Sequence, residues 1–143
     1  MPILRPQSKS IVDKATGMLT LVWDKFFNDV QVGLNFYGTQ PVTAGASLNI
    51  DMAGGGDIEL TLGATVTSFT VTSWPASGNL GRLLLEVTNG GAFNITAWPG
   101  TTIWPSGVGP TLTSGSGKKD TFLLTSNDGG VNFRGYVIGL DMS

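Results

Sequence analysis

From residue 42 onward, the chain consists of short segments of alternating apolar and polar residues separated by glycine-rich turns. Apolar residues occupy every second position over 47–52 and 57–62, the pattern of a strand with one buried face. Gly54-Gly55-Gly56 lies between these two segments and favours a tight turn. This repeated pattern predicts an all-β domain of about seven to eight short strands, arranged as a sandwich or a jelly roll.

Two other turns have the composition of hairpin turns. Asn89-Gly90-Gly91 and Asn127-Asp128-Gly129-Gly130 supply residues that readily adopt the positive φ angles of a type I′ turn. We therefore expect each turn to join two antiparallel strands. The predicted pairs are 83–87 with 93–98 and 121–126 with 131–138.

Three further segments of this region carry specific expectations. Val66 is out of phase with Phe69, which predicts a bulge or a two-sided strand over 66–71. The nearly continuous apolar run 83–87 predicts a central strand covered on both faces. Residues 99–119 are rich in proline and glycine, which predicts a long connection without regular structure, a kind of loop that is often functional.

The N-terminal part of the chain has a different pattern. Two early prolines disfavour a helix and predict an extended arm over residues 1–18. Residues 20–30 have apolar side chains at helical spacing, which predicts one short helix. We therefore divide the chain into an N-terminal attachment and oligomerisation segment, 1–41, and a β-sandwich domain, 42–143.

Apolar side chains of the N-terminal segment predict two contacts with other subunits. The arm carries two aliphatic pairs, which we expect to attach the protein to a neighbouring subunit, as an added strand does. One face of the helix is too apolar to remain in water, so it packs either on the β domain or on the same helix of other subunits. The second alternative is favoured and predicts a homo-oligomer, a trimer in preference to a dimer. The attachment residues are Ile3, Leu4, Ile11 and Val12, and the oligomerisation residues are Leu19, Trp23, Phe26 and Val30.

Composition narrows the function classes. The chain has no cysteine and no histidine, so thiolate chemistry, thiolate zinc sites and histidine-based acid–base catalysis are excluded. Its net charge is −2 and its eight basic residues are scattered, which argues against nucleic acid as a partner. A membrane span needs about 18 consecutive apolar residues, and no run in this chain is that long. The first residues also lack the apolar core of a secretory signal.

The acidic residues are the remaining candidates for catalysis. A glycosidase needs two carboxyl groups held about 5–9 Å apart in a cleft. Here the acids alternate out of phase with the apolar residues, so we expect them to face solvent, and no loop has the several acids of a calcium site. The chain is therefore predicted not to be an enzyme, with no metal and no cofactor. The acids considered are Asp51, Asp57, Glu59, Asp120 and Asp128.

The dipeptide Trp-Pro occurs three times, beginning at Trp74, Trp98 and Trp104. The favoured interpretation is structural, since proline ends a strand and tryptophan covers the sheet edge. The alternative is a ligand surface on which aromatic rings stack against the sugars of a host-surface glycan.

The C-terminal half resembles small tail-fibre-like and virion proteins of tailed bacteriophages. The resemblance includes the stretch that begins Trp104-Pro105-Ser106-Gly107 and the turn Asn127-Asp128-Gly129-Gly130, followed by an aromatic return strand. It implies a structural role in the virion, without catalytic residues and without a particular location on the particle. The segments that carry it are 83–87, 94–99, 104–113, 119–124, 127–130 and 133–139.

Together these features predict a non-enzymatic virion structural protein, made in the host bacterial cytoplasm. Capsid decoration or a head fibre is favoured, with attachment to other capsid or tail proteins through the arm and an exposed β module. The alternative is a tail-fibre or receptor-binding module that contacts host-surface glycans through the Trp-Pro loops. A free carbohydrate-binding domain or a glycan-cleaving enzyme is a third hypothesis from another class.

Overall fold

The computed structural model of the protein describes residues 39–142, all of which belong to the unit Tyr37–Ser143. The described region is mostly β, with eight strands in two sheets and two single-turn 3₁₀ segments, which confirms the all-β prediction. The predicted arm and helix lie outside the described residues, with every attachment and oligomerisation residue named above, so those assignments and the 41/42 boundary stay predictions.

Eight strands follow one another along the chain with connections of varied length. Most of them have the alternating burial that the sequence pattern predicts. The strands are β1 (Gln40–Ala44), β2 (Ser47–Asp51), β3 (Asp57–Leu62), β4 (Ser68–Thr72), β5 (Gly81–Asn89), β6 (Thr101–Ile103), β7 (Lys119–Ser126) and β8 (Asn132–Gly139). The 3₁₀ turns are Met52–Gly54 and Pro105–Gly107.

The first five strands alternate between the two sheets. β1, β3 and β5 are parallel neighbours in a six-stranded sheet, and β2 and β4 are parallel neighbours in a two-stranded sheet. The chain therefore winds as a coil, in which each strand pairs with the strand two positions later along the sequence. Gly54–Gly56 form part of the corner between the sheets, since β2 and β3 do not pair with each other.

The remaining strands complete the larger sheet in the order β1-β3-β5-β7-β8-β6. β7 is antiparallel to both β5 and β8, which confirms the predicted hairpin over 121–138. β6 is parallel to β8 at the far edge. A jelly roll is antiparallel, and the parallel pairs of this domain mean that the jelly roll is not confirmed.

Side chains from both sheets meet in one continuous hydrophobic core. The inward residues of β3 and β5 are almost fully buried because the two-stranded sheet and the segment 93–98 cover them. At about 1.5–3 kcal/mol for each large aliphatic or aromatic side chain removed from water, this core is the main source of stability. Its fully buried large side chains are Leu48, Ile50, Ile58, Leu60, Leu62, Val66, Leu83, Leu85, Ile95, Phe122, Leu124 and Phe133.

The structure corrects several sequence-based expectations. The segment 93–98 is not a return strand, because the neighbours of β5 are β3 and β7 and only Ile95 forms a bridge, parallel to Val66. That bridge also explains the phase of Val66, which precedes β4 and is buried separately from Phe69. Residues 99–119, predicted to be irregular, contain β6.

Candidate functional site

Two of the three Trp-Pro tryptophans lie in an aromatic cluster inside the domain. Trp98 contacts Trp104 edge to face, with ring centroids 4.7 Å apart, and both rings pack against Phe122 of β7. Trp104 is only 6% exposed. Its indole fits against β8 because residue 135 is glycine: a Cβ atom there would lie 2.6 Å from two carbons of the ring.

The third tryptophan closes one end of the six-stranded sheet. Trp74 is half-buried, stands edge to face against Phe133 at 5.1 Å, and donates a hydrogen bond from Nε1 to the carbonyl oxygen of Ser126 at 3.3 Å. The three tryptophans therefore belong to the core and its margin. They do not form one open platform, and the face of Trp104 is covered by protein.

Two buried polar side chains fix the long 104–118 connection over this cluster. Asn89 accepts hydrogen bonds from the amides of Gly91 and Phe93 and donates to the carbonyl oxygens of Phe93 and Thr113. Asp120 accepts from the amide and hydroxyl of Thr113, at 2.6 and 2.7 Å, and from the amide of Asp141 at 2.9 Å. The connection is therefore anchored at its middle.

The burial of Asp120 corrects the expectation that it faces solvent. Asp120 is 1% exposed, and its carboxylate is occupied by three donors from within the protein. A carboxylate held in this way stabilises the loop and is not presented to a substrate. Its role is therefore structural.

Asp128 organises the hairpin turn between β7 and β8. Its carboxylate accepts hydrogen bonds from the side chains of Asn132 and Ser126 and from the amides of Val131 and Asn132. These donors, the Asn132 side chain first, hold the pKa of Asp128 well below its usual range. A carboxyl group with a depressed pKa in the folded state stabilises the fold only while it is ionised.

We expect this turn to lose its stabilising effect at low pH. The contribution of Asp128 is complete above the ordinary aspartate pKa of about 4 and decreases as the pH falls toward the lower folded-state pKa. The melting temperature of the wild type should therefore fall more steeply between about pH 5 and pH 2 than that of Asp128→Asn. Asp57→Asn, on the exposed face of β3, is the control. Parallel melting curves for the wild type and Asp128→Asn would contradict the expectation.

Three other acidic residues lie at the surface of the described region. Asp57 and Glu59 are exposed on β3, and Asp51 caps the first 3₁₀ turn through the amide of Ala53. Among residues 39–142, no group of three metal-ligating side chains comes together. Glu59 lies beside Glu86 in register on the outward face, and Glu86 makes an ion pair with Lys119.

The outward face of the six-stranded sheet combines apolar and charged side chains. β5 presents Arg82, Leu84 and Glu86 to solvent, and Leu84 is 38% exposed. In register across the sheet, Leu84 is next to Leu123 of β7, which is next to Tyr136 of β8. We call this face, defined by these five residues and Arg134, the outer β5–β7–β8 face.

This face was missed by sequence reasoning. The run Leu83-Leu84-Leu85 predicted a strand covered on both faces, but burial alternates along β5 and Leu84 is on the uncovered side. The charged residues Arg82 and Glu86, on either side of Leu84, indicate in the sequence that this face of β5 is exposed to solvent. Both follow the alternation of a one-sided strand.

A polar depression of about 260 Å³ lies on the same sheet, closer to β1. A row of threonines, Thr43, Thr61 and Thr88, crosses three strands in register. Lys119 follows this row on β7 and makes an ion pair with Glu86 at 2.9 Å. The depression is shallow, so it adds polar character to one side of the outer β5–β7–β8 face and does not form an enclosed site.

Comparison with protein-family models, curated proteins and solved structures finds no match to this chain. No helix within residues 39–142 has the length and apolar character needed to cross a membrane.

Proposed function

We propose that this chain is a non-enzymatic structural protein of a tailed-phage virion. It attaches to capsid or tail proteins through its N-terminal residues, joins other copies of itself, and exposes the β domain. Capsid decoration or a head fibre is the favoured role. The protein is made in the host bacterial cytoplasm and ends in the virion.

The observation that carries the proposal is the outer β5–β7–β8 face. Leu84 is 38% exposed between Arg82 and Glu86 on β5, and Tyr136 is 42% exposed on β8, the kind of surface that packs against other protein. The buried polar side chains Asn89 and Asp120 have their hydrogen bonds within the fold. These two side chains therefore serve the fold, and the exposed face is the surface that we assign to assembly. The virion assignment is supported by the resemblance of residues 80–140 to phage proteins.

Glycan binding through the Trp-Pro loops is the weaker alternative. Sugar stacking needs an open aromatic face, and Trp104 is buried while Trp98 has Trp104 and Phe122 against it. Trp98 and Trp74 are both partly buried.

Deletion of residues 2–18 tests attachment. We expect the truncated protein to keep the wild-type β circular dichroism spectrum and melting transition, because the deleted residues precede the β domain. It should no longer be found on purified particles, since the predicted attachment pairs would be missing. Occupancy would be measured by quantitative mass spectrometry and by electron microscopy of particles assembled with the wild-type, truncated or deleted gene.

Substitution of Ile3, Leu4, Ile11 and Val12 by serine in the full-length chain is the matched control for chain length. It should reduce occupancy as the deletion does. Full occupancy of the truncated protein would place the attachment surface elsewhere. Particles that never contain the wild-type protein would refute the proposed function.

A further inference from the structure

The outer β5–β7–β8 face has a charge pattern that is complementary to itself. On β5, Arg82 and Glu86 lie on either side of Leu84, each two residues away, or about 6–7 Å along the strand. All three side chains are exposed. The central strand therefore carries a positive, an apolar and a negative position in sequence on its uncovered face.

The apolar position extends across the sheet. Leu84, Leu123 and Tyr136 are register partners on β5, β7 and β8, about 4.8 Å apart from strand to strand. The next row on one side contains Arg82, Thr125 and Arg134 in register. Neither arginine has a carboxylate within ion-pair distance among residues 39–142.

We propose that a second copy of this chain docks on the outer β5–β7–β8 face through a two-fold axis that runs along the row Leu84–Leu123–Tyr136. An isologous contact of this kind brings the same patch of both copies together. The apolar row of one copy then packs on the apolar row of the other. The strands of the two copies run in opposite directions, so Arg82 lies opposite Glu86 of the second copy, twice per dimer.

The charges select this orientation over the other simple one. A two-fold axis parallel to the strands through β7 would place Arg82 opposite Arg134 of the second copy, because both belong to the same row. Like charges face to face across an interface are unfavourable. The axis along the apolar row instead pairs opposite charges, and Glu86 with its neighbour Lys119 becomes part of a small ionic network.

The area of the face limits the expected affinity of the dimer. The three strands at about 4.8 Å spacing and seven residues at about 3.3 Å cover roughly 14 by 23 Å on each copy. This is below the standard size of specific interfaces, so we expect a weak, transient dimer. Copies held on a particle would associate more strongly because of their high effective concentration. The inference thus deepens the proposed function by naming how exposed β domains contact one another.

A charge exchange tests the contact. Full-length wild type, Arg82→Glu, Glu86→Arg and the double variant would be compared by sedimentation velocity over a concentration series. We expect the wild type to show a concentration-dependent association step, in which the mass of the sedimenting species doubles. Each single variant should weaken this step at least about tenfold, since each creates two like-charge contacts per dimer, and the double variant should restore it to within about threefold of wild type.

Thr72→Glu and Thr72→Arg are the matched controls, because Thr72 is exposed on β4 in the other sheet. They should leave the step unchanged. Added salt should weaken the wild-type step, because the charged pairs are partly exposed. Melting temperatures would verify that every variant is folded.

Three results would overturn the inference: no doubling step in the wild type, single variants that associate normally, or a double variant as weak as the single ones. Wild-type protein that binds a different virion protein through this face, without doubling, would also overturn it. Incorporation into particles is measured separately. Normal incorporation together with absent self-association refutes only this contact, whereas absence from particles refutes the proposed function.

Discussion

Phe122→Ala in the full-length chain should lower the free energy of unfolding by about 3–5 kcal/mol. Phe122 is fully buried at the centre of β7, where Trp98 and Trp104 both pack against its ring. Truncation to alanine leaves a cavity bounded by two indoles and sheet backbone, which have little freedom to collapse into it. Urea denaturation followed by tryptophan fluorescence and circular dichroism would measure the loss.

Leu123→Ala is the control for this change. Leu123 is adjacent on β7 but lies on the outward face and is only half-buried. Its truncation should cost about 1 kcal/mol or less when measured on dilute protein. Equal losses for the two variants would show that the assignment of the two faces of β7 is incorrect.

Asn89→Ala should destabilise the fold by about 2–4 kcal/mol, because four hydrogen bonds of about 0.5–1.5 kcal/mol each are lost and their buried partners are left unpaired. Asn89 is 1% exposed and joins the turn at 91–93 to the carbonyl oxygen of Thr113. We also expect faster amide hydrogen exchange over 90–93 and 112–118 than in the wild type. Both effects follow from release of the same connection.

Asn79→Ala is the matched control for the asparagine substitution. Asn79 is exposed and donates one hydrogen bond to the carbonyl oxygen of Ala76. Its replacement should change the stability by less than about 0.5 kcal/mol. If Asn89→Ala were as mild as this control, Asn89 would not be the residue that anchors the connection.

The alternation of apolar and polar residues predicted the positions of the strands better than it predicted which strands pair. Alternation over 57–62 corresponds to β3 from its first to its last residue, and the strands of the β7–β8 hairpin were found within two residues of their ends. Both successes concern information contained in neighbouring residues: period-two burial, and a short turn whose residues adopt positive φ. The short strand β1, with partial burial and a proline, had no comparable pattern.

Pairing in the coil could not be predicted from local pattern. β3 and β5 are joined by a connection that includes β4 in the other sheet, so no turn residues identify them as partners. Consecutive glycines occur in hairpin turns and also in corners between two sheets, as at Gly54–Gly56. Their presence therefore does not identify which strands pair. Asn89-Gly90-Gly91 was therefore assigned to the wrong kind of turn, because the four hydrogen bonds of Asn89 depend on residues as distant as Thr113.

The candidate site was hidden for a related reason. The leucines at 83–85 are chemically alike, and the sequence alone does not show that the middle one lies on an uncovered face of the sheet. The Trp-Pro dipeptides, by contrast, were conspicuous as motifs, yet Trp104 owes its buried position to a glycine thirty-one residues later, Gly135. Burial of this kind is a property of the assembled sheet.

The strand directions have a mechanical consequence. β1 and β8 run in the same direction, because β1, β3 and β5 are parallel and β7 is antiparallel to both β5 and β8. The start of β1 and the end of β8 therefore lie at opposite ends of the sheet. A tensile force applied between Gln40 and Gly139 is directed along the strands, and the hydrogen bonds between strands run across that direction. These bonds are loaded together in shear instead of being opened one after another, so the domain is built to carry tension along its strands.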